Sequence, residues 1–67
     1  MLTDPGHISK VKGALDKITD AIEKLCDVWT DPTAPPDDRS YIRLVIDEFS
    51  TTKINLSTII PPADLPP

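Results

Sequence analysis

The chain has 67 residues, enough for one small domain with a thin hydrophobic core. Its composition is 39% hydrophobic, which is typical of a folded domain, and its formal net charge is −4 at pH 7. That negative charge argues against direct binding to nucleic acids or to anionic membranes. Because Cys26 is the single cysteine, a disulfide within this chain is excluded.

The distribution of proline divides the chain into segments. The eight prolines fall at Pro5, within 32–36 and within 61–67, and they leave two long proline-free stretches. Proline disrupts helix interiors but is tolerated at helix ends. We therefore expect a single small domain over 1–67 with two helices, a proline-rich linker over 30–36 and an extended proline-rich tail over 61–67.

The first proline-free segment is predicted to be a helix over 5–29. Asp4 is a good N-cap, and Pro5 suits the first helical position. Apolar side chains recur at alternating spacings of three and four residues, which is the pattern of an amphipathic helix. These residues are Ile8, Val11, Leu15, Ile18, Ile22, Leu25 and Trp29.

The second segment is predicted to be a helix over about 37–60, with Thr33 as a candidate cap. Its length matches that of the first helix, so the two are expected to form an antiparallel helical hairpin. The same alternating spacing is repeated by Ile42, Val45, Phe49, Thr52, Leu56 and Ile59. Residues 50–60 are poor helix formers, however, and some apolar residues also alternate as in a strand. The alternative fold is one long helix packed on a C-terminal β-hairpin.

The all-α hairpin predicts a seam between the two helices. The predicted seam consists of Ile8, Val11, Leu15, Ile18, Ile22, Leu25, Ile42, Val45, Phe49 and Leu56. Four further large apolar side chains fall outside it: Trp29, Tyr41, Leu44 and Ile54. Such residues either form an interface with a partner or seal the edge of a slightly rotated core. We expect the first, so that oligomerisation or a partner completes the core.

The sequence contains no recognisable catalytic or metal-binding constellation. On a continuous helix, Cys26 and the only histidine, His7, would be about 28 Å apart, too far for a nucleophile and its base. One histidine and one cysteine do not make a zinc site, and no glycine-rich phosphate loop is present. We therefore expect no enzymatic activity and no cofactor.

The remaining predictions concern partners and location. The first residues carry no basic region followed by an apolar run, and no apolar stretch reaches the ~18 residues of a membrane span. The expected location is the cytoplasm, or a particle assembled there. The main functional hypothesis is a protein-interaction module that acts as a small subunit of a homo-oligomer or larger assembly. The alternative is a small acidic regulator of an enzyme, possibly one that handles nucleic acid, with Asp16, Asp20 and Glu23 as its contacts.

Overall fold

The protein is an all-α helical hairpin, seen in a computed structural model that describes residues 1–65. Helix α1 spans Pro5–Trp29, helix α2 spans Pro36–Ser57, and a 3₁₀ turn spans Pro62–Asp64. The two helices pack against each other and run antiparallel, which confirms the hairpin prediction. No strand occurs within residues 1–65, so the β-hairpin alternative is wrong.

Helix α1 has the bounds that the sequence pattern predicts, and hydrogen bonds define both of its ends. The Asp4 carboxylate accepts hydrogen bonds from the backbone N–H groups of Gly6 at 2.7 Å and His7 at 3.2 Å. At the other end, the guanidinium Nε of Arg39 donates to the carbonyl of Trp29 at 2.9 Å. Because Arg39 belongs to α2, this bond also joins the two helices beside the linker.

Helix α2 begins without a side-chain cap, so the suggested role of Thr33 is wrong. The N–H and hydroxyl of Thr33 instead donate to the Asp31 carboxylate at 2.9 and 2.6 Å. These two bonds, the hydroxyl bond most strongly, lower the pKa of Asp31 below its usual value. Pro35 is the capping residue and Pro36 the first helical residue, and proline has no N–H there to leave unpaired.

Helix α2 ends three residues earlier than predicted, and the tail is not extended throughout. After Ser57 the chain tightens, and the N–H of Ile60 donates to the Ser57 carbonyl at 3.3 Å. The 3₁₀ turn then follows, closed by a 2.9 Å bond from the Asp64 N–H to the Pro61 carbonyl. Proline is acceptable here because it supplies only the carbonyl acceptors of the turn. The last two residues of the predicted tail, 66–67, lie outside the described residues.

The best-packed part of the core lies near the chain termini, at the end of the hairpin opposite the linker. Ile8, Leu15 and Ile60 are buried together there, and Ile60 is only 1% exposed. Partly buried side chains pack against this cluster: Leu2, Val11, Leu56 and Leu65. The tail, which the sequence predicts only as extended, thus contacts the core of its own chain through Leu65.

Candidate interaction surface

The observed seam uses the predicted residues of α1. Ile8 and Leu15 are buried. The other predicted positions are half-buried: Val11, Ile18, Ile22 and Leu25. The apolar stripe of α1 therefore faces α2 along its whole length, although one flank of the stripe is incompletely covered.

On α2 the seam differs from the prediction. The buried residues are Ile46 on α2 and Ile60 just beyond its end, both of which flank the predicted stripe. Ile42, Val45 and Leu56 are half-buried. Two members of the predicted stripe lie at the exposed edge of the observed seam. They are Phe49, which is 36% exposed, and Ile59, which is 37% exposed. Successive residues of an α-helix are about 100° apart around the helix axis, so α2 is rotated about its own axis by roughly 60° from the predicted orientation.

The reason for this rotation is that α2 carries apolar side chains on two adjacent faces. One face contains Ile46 and is continued beyond the end of α2 by Ile60. The other contains Val45 and Phe49 and is continued by Ile59. A single helix, α1, can cover only one of the two. Lys53 lies midway between Ile46 and Ile60 in the sequence and is half-buried. Because this lysine interrupts the apolar pattern, Ile46 and Ile60 are not recognised as one face from the spacing of apolar residues. Its aliphatic stem can pack on apolar neighbours while the ammonium stays in water.

The uncovered flanks of both helices lie on the same side of the hairpin. Viewed from one end of the hairpin, two antiparallel helices wind in opposite directions. The uncovered flank of α1 and the uncovered flank of α2 therefore fall on the same side of the plane that contains both helix axes. We call this surface the apolar face. On α1 it comprises Ala14, Ile18, Ala21, Leu25 and Val28. On α2 and the turn that follows it, the face comprises Tyr41, Val45, Phe49, Leu56 and Ile59.

The opposite side of the hairpin is polar and holds a small open cavity of about 260 Å³. Its polar lining includes Lys12, Asp16, Thr19, Lys53 and Ser57. Throughout residues 1–65, no buried side-chain nitrogen or oxygen lacks a hydrogen-bond partner, and no three potential metal-ligating side chains cluster. The cavity lining therefore carries charges of both signs.

The four predicted contact residues outside the seam do not form one patch. Trp29 is half-buried beside the linker, with the Arg43 guanidinium carbon 4.8 Å from its ring centroid. Tyr41, Leu44 and Ile54 are 68%, 61% and 66% exposed. Helical spacing places Tyr41 on the apolar face and Leu44 at its outer border, but Ile54 on the polar side.

The acidic side chains of α1 form an exposed stripe away from the apolar face. Asp16, Asp20, Glu23 and Asp27 follow one another at spacings of four, three and four residues. Lys24 pairs with Asp20 at 3.1 Å, so part of the negative charge is neutralised within the chain. His7 is exposed and Cys26 is half-buried, and they lie near opposite ends of α1.

Neither helix of the described chain is both long and apolar enough to cross a membrane. Comparisons with protein-family models, curated proteins and solved structures found no match to this chain. Function is therefore inferred from the exposed surface alone.

Proposed function

We propose that this chain is a non-enzymatic protein-interaction module that docks through its apolar face. In this role it is a small subunit of a homo-oligomer or of a larger assembly. The observation that carries the proposal is the convergence of uncovered apolar flanks from both helices on one side of the hairpin. A monomeric protein rarely leaves a large contiguous apolar patch in water.

The composition of the face supports docking over simple exposure. Tyr41 is 68% exposed, Val28 is 41% exposed, and Phe49 and Ile59 are each more than a third exposed. Aromatic side chains are enriched at the centres of protein interfaces, where they contribute much of the binding energy. Half-buried Leu25 and Val45 lie between them and would gain further burial from the same contact.

A photo-crosslinking experiment in cells of the source organism tests this proposal. A benzophenone amino acid replaces Tyr41 in one variant and Ile54 in the control. Both positions are exposed, on α2, and similar in exposure, but only Tyr41 lies on the apolar face. We expect protein adducts from position 41 and few from position 54. Equal yields at both positions, or none at position 41, would show that the apolar face is not an interface.

The exposed acidic stripe of α1 supports a second candidate function, that of an acidic regulator of an enzyme. Its contacts would be Asp16, Asp20 and Glu23, on a surface separate from the apolar face. Binding through exposed charges weakens as salt is added, whereas binding through apolar side chains tolerates salt. A captured complex that survives high salt and the change of all three residues to amides would exclude this second function.

A further inference from the structure

We propose that a second copy of this chain covers the apolar face, forming a four-helix bundle in which α1 of each protomer lies against α2 of its partner. This inference rests on the proposed function and names the partner. Two copies related by a two-fold axis bury the same surface on both protomers, which is the commonest way that small proteins associate. Both linkers then lie at the same end of the bundle.

When the helices of the two copies are aligned, as in a four-helix bundle, two face-to-face arrangements are compatible with two-fold symmetry. If the axis runs along the helices, α1 lies against the partner's α2 and the linkers share one end. If the axis crosses the helices, α1 lies against the partner's α1 and the linkers lie at opposite ends. The apolar contact is similar in both cases, so the charges that border the face decide between them.

The two long borders of the apolar face carry opposite charges. Lys10 and Lys17 are exposed along the α1 border, and Glu48 is exposed along the α2 border. Within the described residues, ion pairs join Lys24 to Asp20 and Arg43 to Asp47, so none of these three border charges is neutralised by a salt bridge. The borders are therefore available to a partner.

The register of the hairpin sets which border charges would meet. Arg39 bonds to Trp29 at one end, and the N–H of Leu2 donates to the Ile59 carbonyl at 2.7 Å at the other. This register places Glu48 within about 4.5 Å of Lys17 along the helix axis. With the linkers at one end, Glu48 comes beside the partner's Lys17. With the linkers at opposite ends, lysine borders lysine and Glu48 borders glutamate.

The size of the face is also adequate for a dimer. The hairpin measures 45 × 19 × 15 Å, and the apolar face follows its long dimension. A standard protein interface buries about 800 Å² on each partner, which is comparable to the broad side of a hairpin of these dimensions. An apolar centre with charged borders is also the usual anatomy of such an interface.

Light scattering on the purified full chain, at micromolar to millimolar concentrations, tests the dimer. We expect a mass of twice 7.4 kDa at the upper concentrations. Glu48→Lys and Lys17→Glu should each weaken the dimer about tenfold, and an equimolar mixture of the two should restore it, because both border pairs regain opposite charges. Glu23→Lys, the same charge change on the polar side, is the matched control. A monomer throughout, no rescue on mixing, or an equal effect of Glu23→Lys would overturn the inference.

A distance measurement tests the orientation of the two protomers. Spin labels are placed at Thr33→Cys in a Cys26→Ser background, so that each linker carries one label. Helices in bundles lie 8–10 Å apart, so labels at the same end should be roughly 20 Å apart. A distance near the 45 Å length of the hairpin would refute the arrangement. A monomer that still gives crosslinks from position 41 would refute self-association and leave the proposed function intact.

Discussion

Replacing Ile60 with alanine should be among the most destabilising single substitutions in this chain. Ile60 is 1% exposed and packs in the cluster with Ile8 and Leu15, although it lies beyond the end of α2. The change removes three carbon atoms, worth about 0.8 kcal/mol each, and leaves a cavity that nearby chain ends can partly fill. We therefore expect a loss of about 3 kcal/mol, near the lower part of the range for buried isoleucine. A chain of this length has a total stability of roughly 3–10 kcal/mol.

The assay is urea unfolding followed by circular dichroism at one fixed protein concentration, since association would make stability depend on concentration. The control is Ile54→Ala, which truncates the same residue type at a position 66% exposed on the polar side and should change stability by less than about 0.5 kcal/mol. If Ile60→Ala does not fold, Ile60→Val should still cost about 1 kcal/mol. A cost at Ile60 no greater than that at Ile54 would refute the described packing of the chain ends.

Two further predictions concern the ends of the helices. Asp4→Ala should lower the free energy of unfolding by about 1 kcal/mol, because two N–H groups lose their acceptor. Asp4→Asn should retain most of the stability, because asparagine is also a good N-cap. Equal losses of stability in the two variants would argue against the cap. Thr33→Ala should raise the pKa of Asp31, followed by NMR titration, toward its usual value of 3.8. Because that pKa is lowered in the folded chain, the contribution of Asp31 to stability is present above the usual value and is lost as pH falls through the folded pKa.

Local chemistry determined the extent of the first helix. Asp4 and Pro5 act within the first turn of the helix, and the apolar stripe is defined by spacings of three and four residues. These features can therefore be recognised without knowing the fold. The start of α2 was less predictable, because Thr33 had two acceptable partners. It bonds to the nearby Asp31 and not to the N–H groups of α2, a choice that depends on the path of the linker.

The proline-rich end of the chain is less extended than its composition predicts. Four prolines among the last seven residues indicated an extended tail, because proline cannot continue an α-helix. A single 3₁₀ turn needs few N–H donors, and Asp64 and Leu65 supply them. The turn allows Leu65 to reach the core cluster, a long-range contact that no local pattern records.

The amino-acid sequence alone therefore determined the first helix and favoured its antiparallel pairing with a second, because spacing, capping and a short linker are local features. Within residues 1–65, the structure excluded the β-hairpin that the sequence had left as the alternative. The tertiary structure decided which face of α2 meets α1. Val45 and Phe49 compete with Ile46 and Ile60 for the same partner surface, and α1 is too narrow to cover both sets. Ile60 packs with Ile8 and Leu15, far away in the sequence, while Val45 stays half-buried and Phe49 stays 36% exposed on the apolar face.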